Sequence, residues 1–348
     1  MYYQLIQSKE SIFFRVDGDR GLKAGLGHVY RTLKIYRFLK KVFKNQYNFI
    51  FIMKNYKLGR EIIFKETREK ILDYDKVFNN KIINQNDIVI IDTLGAEKKF
   101  LNLLHKKKLN KIVSFDELNL NNFKRGLIIN GIYFAKKKLK KTSKKIKIYQ
   151  GPEYLVLNKE FEKKKEKVNY NNRRLNVLIT SGGADKKNFL FKILKKINFS
   201  KQKKITFYIV AGKGVNKNNP IFSLKRFKNI VILKNIKNMK KILDKVQISI
   251  VSGGTVMFES ICCGKITFAC QTYFHQNFAI RFFEKKNIIL NLGTINRLKT
   301  IEIRNFFKDF SKTYKNYNNF FRKRTKTIDG LGLQRVNKIL YRYIDNDK

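Results

Sequence analysis

Imidazole is scarce in this chain: of 348 residues only three are histidine. One of them, His28, stands in the stretch "RVDGDRGLKAGLGHVYRTLKIYRFLKK", where a glycine-spaced loop turns into a basic amphipathic helix. An imidazole titrates near neutral pH, so a histidine facing a cleft suits proton transfer. Packed locally at a helix start, it is only structural. Gly25 and Gly27, just before it, let backbone approach a ligand, and the helix start presents free N–H groups. A second stretch, "VLITSGGADKKN", ends a buried strand in Ser181, Gly182 and Gly183 before a helix. Its amides and helix dipole favour a phosphate, or it is a tight turn with Asp185 as the cap. It carries neither the Walker lysine nor a G-x-G-x-x-G fingerprint. The same design recurs in "ISIVSGGTVMFESICCG", with Gly253, Gly254 and Thr255 at the turn. Glu259 lies about one helical turn further on, placed to accept ribose hydroxyls or to face solvent. In "TYFHQNFA", His275, Gln276 and Asn277 open another helix, as sugar or phosphate contacts or as caps. His105, among lysines, is assigned no role.

Those residues need elements to hold them. Strands are expected at "SIFFRVD", "YNFIFIM", "DIVIID", "KIVSFD" and "GLIIN", with helices over 28–43 and 97–108. Apolar strands that do not alternate, spaced by helices, indicate a parallel sheet covered on both faces. The pattern lapses into polar "FEKKKEKVNYNNRR" and then restarts at "LNVLIT". It continues through "ITFYIVAG", "NIVIL", "ISIVSGG" and "ITFACQ", each with a helical partner. The expected organisation is an N-terminal Rossmann-like domain over 1–160, a linker over 161–174, a C-terminal Rossmann-like domain over 175–328 and a final helix over 329–348. The fold class is α/β, two doubly wound halves.

Composition limits the function classes. Hydrophobic residues make up 43% of the chain, enough for real cores. No run of 18 apolar residues predicts a membrane span. The start shows no basic, apolar and small-residue leader pattern. Cys262, Cys263 and Cys270 suit neither a disulfide framework nor a zinc site, which points to a reducing cytoplasm. The adjacent pair reads as small apolar packing. The formal charge of +51 invites a nucleic-acid reading. Yet the lysines are spread along the whole chain among Asn, Ile and Phe, all encoded by A/T-rich codons, and no basic-aromatic face is traceable. The densest run, Ala135 to Lys147, is a candidate anion-binding patch. No nucleic acid partner is expected.

Two strand–Gly-Gly–helix turns, an H-Q-N segment and a G-x-G-H loop together resemble the two-domain glycosyltransferase-B fold, including the transferase that adds N-acetylglucosamine to lipid II precursors. A closer resemblance is to the nucleotide-sugar hydrolases of pseudaminic acid biosynthesis, which release UDP from UDP-2,4-diacetamido-2,4,6-trideoxy-β-L-altrose. It is carried by "RVDGDRGLKAGLGHVYRTL", "VIIDTLG", "VSFDE", "LIINGIY", "GPEYLVLNKEF", "SGGADKKN", "SGGTVMFESICCGK" and "DGLGLQRV", in order along most of the chain. The resemblance implies two Rossmann-like domains facing across a cleft and a UDP-sugar substrate, with no cofactor and no metal. It implies His28 as the catalytic histidine, with Asp17 and Asp92 as acidic groups facing the sugar. Gly253, Gly254 and Thr255 match the pyrophosphate loop, Glu259 the ribose contact, and Ser181, Gly182 and Gly183 a neighbouring phosphate turn. Gln276 and Asn277 match a polar segment near sugar and diphosphate. Where some relatives read Asp-His after the "VIID" strand, this chain has Asp92-Thr93, a change placed to alter sugar specificity or to weaken the assigned chemistry. A transferase of the same fold is the rival expectation.

Overall fold

The computed structural model describes residues 9–19, 26–78, 82–93, 95–117, 120–132, 143–162, 175–183, 185, 187–212, 215, 219–234, 236–299, 303, 307 and 327–345. Gly25, the expected linker beyond residue 162, the lysine run up to residue 142 and most of the aromatic tail over 301–321 lie outside them. Contacts divide the chain into two compact units, Met1–Val156 with Gly332–Lys348, and Leu157–Leu331.

Unit 1 is a parallel sheet of β1 (Ser11–Val16), β2 (Asn48–Met53), β3 (Lys70–Asp73), β4 (Ile88–Asp92), β5 (Lys111–Phe115), β6 (Gly126–Asn130) and β7 (Ile146–Gln150). Its spatial order is β3-β2-β1-β4-β5-β6-β7. Successive side chains of a strand point to opposite faces, and here both faces are covered. Phe14, Phe51, Ile90 and Val113 pack on one side, and Phe13, Ile52, Val89 and Ile112 on the other. Each such fully buried phenylalanine contributes about 1.5–3 kcal/mol. Helix α1 (Gly27–Phe43) lays Val29, Leu33, Tyr36 and Leu39 on the first face, and α2 (Lys57–Thr67) adds Ile63. Helix α3 (Lys98–Lys106) lays Phe100, Leu101 and Leu104 on the second.

Unit 2 repeats the plan. Strands β8 (Leu175–Thr180), β9 (Ile205–Ala211), β10 (Ile230–Lys234), β11 (Ile248–Ser252), β12 (Ile266–Gln271), β13 (Leu290–Thr294) and β14 (Arg297–Leu298) run in the order β10-β9-β8-β11-β12-β13-β14. Only the short β14 is antiparallel to its neighbour. Helices among its described residues include α4 (Phe189–Leu194), α5 (Met239–Lys245), α6 (Thr255–Cys262) and α7 (Gln276–Lys285).

The last helix, α8 (Gly332–Asp345), belongs to unit 1, although the sequence gives it a segment of its own. Its apolar stripe explains why: Val336, Leu340 and Ile344 are spaced one turn apart and enter the core beneath α1. Tyr341 stacks on Phe43 with centroids 5.6 Å apart, and the Lys111 ammonium donates to the Ile344 carbonyl at 2.7 Å. The unit boundary likewise falls at Leu157 rather than at residue 161. In each sheet the strand order reverses direction once, between β1 and β4 and between β8 and β11. In doubly wound sheets ligands bind outside the carboxyl ends of the strands at that point.

Candidate active site

The unit 1 switch point carries a buried ionic chain. Asp92 ends β4 and lies in register with Val16 of β1. His28 is the second residue of α1, and Arg31 and Thr32 follow at i+3 and i+4, so all three share one helix face. All three reach Asp92. The His28 Nδ1 lies 2.7 Å from Oδ1, Arg31 Nε donates to Oδ2 at 2.8 Å, and Arg31 Nη2 donates to Oδ1 at 2.5 Å. The Thr32 hydroxyl donates to Oδ2 at 3.1 Å. The remaining arm of Arg31, Nη1, donates to Asp116 Oδ2. Asp92, Arg31 and Asp116 are buried, while the His28 side chain is 18% exposed and so open to a ligand.

Charge pairing fixes the protons. Burial pushes the Asp92 carboxyl up, but the Arg31 guanidinium outweighs it and, with the hydrogen bond from His28, holds Asp92 well below the usual carboxylate range. Burial likewise opposes the charge on Arg31, and Asp116 and Asp92 more than reverse it, so the guanidinium stays charged. An ionised Asp92 only accepts hydrogen bonds. The 2.7 Å contact therefore places a proton on His28 Nδ1, where Arg31 Nη2 also lies 3.3 Å away, and Nε2 is the ring nitrogen not bonded to Asp92.

Asp17, expected to face the sugar, bonds within a cluster separate from that of His28 and Asp92. Its Oδ2 accepts from Arg15 Nη2 at 2.6 Å and its Oδ1 from the Lys54 amide at 3.0 Å. Arg15 lies 4.2 Å above the Tyr74 ring, whose hydroxyl donates to Glu97 at 3.0 Å. Arg31, Asp116 and Glu117 are additions that sequence reasoning missed. Glu117 is 5% exposed; its Oε1 accepts from the Ala96 amide at 2.9 Å and from the Ser114 hydroxyl at 2.5 Å. It therefore braces the turn that leaves β4. Burial pushes its carboxyl up to about 7, against those two hydrogen bonds and with Asp116 adding to the rise. The H-x-x-R spacing and the D-E pair after β5 were the available signals.

In unit 2 the two glycine turns meet at the β8/β11 switch point. The Ser252 hydroxyl donates to the Ser181 carbonyl at 2.9 Å, tying one turn to the other. Gly182 takes a positive φ of 86°, and a Cβ on Gly183 would meet nothing within 4 Å. The helices behind the turns differ. Asp185 accepts from the Phe189 amide at 2.7 Å and the Leu190 amide at 3.1 Å, so a carboxylate already occupies the start of α4. No side chain caps α6. Of the two helix starts, α6 is the one left to receive an anion. Thr255, its first residue, is exposed, whereas Glu259 is buried and does not face solvent.

Gln276 fastens α7 to the same place. Its Oε1 accepts from the Thr272 amide and hydroxyl at 2.8 and 2.9 Å and from the Tyr273 amide at 3.2 Å. Its Cβ lies 2.9 Å from where a Gly253 Cβ would sit, so only glycine fits there. Gln276 is thus a buried fastener, while His275 is exposed with its ring parallel to Tyr273 at 5.8 Å. Asn277 is half-buried. Cys262 and Cys270 are buried, and burial pushes the thiols of Cys263 and Cys270 up to about 12, so neither is a nucleophile at neutral pH. Among the described residues no cluster of three or more His, Cys, Asp or Glu suits a metal ion, and no helix is long and apolar enough to cross a membrane.

No family model matches the chain. An uncharacterized protein of Methanocaldococcus jannaschii is 31% identical over 263 residues, covering 71% of this chain and 53% of that protein. The chain thus spans about half the length of that relative. The spore coat polysaccharide biosynthesis protein SpsG of Bacillus subtilis is 24% identical over 284 residues, 79% of this chain and 82% of SpsG. Among solved structures, Acinetobacter baumannii MurG matches at a TM-score of 0.59 and 13% identity, covering 95% of this chain and 99% of that one. HepE of Anabaena, in complex with UDP and glucose, matches at 0.53 and 12%, covering 95% and 99%. Two sheets of the same doubly wound order, matched over nearly their whole length by these structures, give the chain the glycosyltransferase-B fold.

Proposed function

We propose that the chain is a nucleotide-sugar hydrolase that releases UDP from a UDP-linked diacetamido-trideoxy sugar, a step of nonulosonic (pseudaminic) acid biosynthesis. The observation that carries this reading is the His28–Asp92 pair at the carboxyl edge of the unit 1 sheet, with Nδ1 held by the carboxylate and the side chain 18% exposed. A neutral imidazole so fixed is a general base. Water is placed on Nε2, which takes its proton as the oxygen attacks C1 of the sugar. The bond from C1 to the diphosphate oxygen breaks, and UDP leaves as the anion. Unit 2 supplies the diphosphate site: the uncapped start of α6 behind Gly253 and Gly254 stabilises the charge that develops there. Thr255 adds a hydroxyl at the same turn, and Gly182 and Gly183 leave room beside it. Support for a sugar nucleotide comes from the UDP and glucose bound by HepE and from SpsG's place in polysaccharide biosynthesis.

The test is incubation with a panel of UDP-sugars and no acceptor, following free UDP and free sugar together. Equal release of both from one member is expected. UDP release that requires an added acceptor would make the protein a transferase; release of neither from any member would end the reading.

A further inference from the structure

We propose that Asp116 is a positioning residue for His28, acting through Arg31 and Asp92 rather than on substrate. The inference rests on the reading of His28 as the reacting base and names what holds it in place. Four side chains from three elements form one line: Asp116 after β5, Arg31 on α1, Asp92 on β4 and His28 back on α1. Arg31 bonds to Asp92 edge-on through Nε and Nη2, which leaves Nη1 to find a partner elsewhere. Asp116 is that partner, and it stops the guanidinium from turning about its stem. The orientation of Arg31 in turn sets that of the Asp92 carboxylate, whose Oδ1 is shared between Arg31 and His28.

The backbone at Asp116 is arranged for this grip. Its φ is 54°, a left-handed conformation that residues other than glycine and asparagine or aspartate seldom take. Its amide donates to the Ile129 carbonyl at 3.0 Å and its Oδ1 accepts from the Ile132 amide at 2.9 Å, so the free oxygen Oδ2 has one orientation available. The Phe115 ring closes the far side of the guanidinium at 5.1 Å. Glu117, next in sequence, turns its carboxyl to Ala96 and Ser114 and leaves Arg31 to Asp116.

Charge points the same way. Two carboxylates and one guanidinium leave the trio with one net negative charge. The groups facing the imidazole from the packed elements are Asp92 of β4 and Arg31 and Thr32 of α1, with Asp116 and then Glu117 behind them. When Nε2 takes a proton from water, the imidazolium meets that uncompensated charge. Without Asp116 the guanidinium neutralises Asp92 outright and loses the bond that fixes its third arm, so the acceptor of the Nδ1 proton is weakened and held less firmly.

The full-length protein labelled with 15N-histidine has three sets of ring signals, so His28 is assigned by its loss in a His28→Gln variant. The native ring is expected as the Nδ1–H form with a low-field proton held by Asp92. Asp116→Asn and Asp116→Gly both suit the left-handed backbone and remove the charge. In each, the low-field proton is expected to vanish and the ring to divide between its two tautomers, with the His105 and His275 signals unmoved. Turnover should fall about 10- to 100-fold in kcat, with KM within about twofold. Unchanged His28 signals in a folded variant would overturn the proposal, and failure of both variants to fold would overturn it in favour of a purely structural role. The ring signature needs no substrate, so it still decides the matter if the native protein cleaves no UDP-sugar.

Discussion

Glu117→Gln isolates one buried carboxyl whose cost is legible in the structure. The side chain is 5% exposed, and burial raises its carboxyl from the usual 4.5 to about 7. A raised acid means that the folded chain holds the proton more tightly than the unfolded one. Below pH 4.5 both states are protonated at this group and its contribution to native stability is complete. Between pH 4.5 and about 7 only the folded state keeps the proton, so stability falls as pH rises, at about 1.4 kcal/mol per pH unit. Over that interval the loss is about 3 kcal/mol. Glutamine keeps an oxygen for the Ala96 amide and the Ser114 hydroxyl but cannot ionise. Urea unfolding of native protein and variant, at pH 4.5 and at pH 8, should therefore show the variant gaining on the native protein by about 3 kcal/mol across the interval. Other carboxylates cancel in the difference. A difference that stays flat with pH would refute the claim that Glu117 carries a burial cost relieved by protonation.

Three further outcomes follow from the same geometry. His28→Ala is expected to abolish UDP release while UDP binding, measured calorimetrically, stays within about twofold, because the diphosphate contacts are assigned to unit 2. Gly253→Ala places a Cβ 2.7 Å from Ile280 Cδ1 and 2.9 Å from Gln276 Cβ, so α7 must move; denaturant unfolding should show a loss of about 1–3 kcal/mol and calorimetry a weaker UDP affinity. Asp185→Ala uncaps α4 and should cost about 1 kcal/mol of stability by urea unfolding, while leaving the affinity for UDP unchanged, since the anion is placed at α6.

The sheets were readable where burial on both faces forces continuous apolar runs, as in "SIFFRV", "IVIID" and "ISIVS". Three of the four edge strands were not: β3 reads "KILD", β7 reads "IKIYQ" and β14 has two residues, whereas the fourth, β10, shows in its apolar run "NIVIL". Edge strands meet solvent on one side and carry mixed polarity, which blurs the period. The glycine turns were visible as strand–glycine–helix boundaries, but which helix start stays uncapped depends on where the Asp185 carboxylate folds back. Asp92 was legible as an acid closing a strand. Its partners were not, because Arg31 lies 61 residues from Asp92 and 85 from Asp116 in the chain. Only the parallel pairing of β1, β4 and β5 brings them together. Asp17 was likewise legible as an acid after a strand, but its bond to Arg15, two residues before it, was not.

Cleavage in water enriched with 18O examines most directly the claim that His28 drives water onto the sugar carbon. With UDP-sugar as substrate and a single turnover followed by mass spectrometry, the heavy oxygen should appear on C1 of the released sugar and be absent from UDP. Heavy oxygen in the terminal phosphate of UDP would mean attack at phosphorus, and the chemistry assigned to the His28–Asp92 pair would be contradicted.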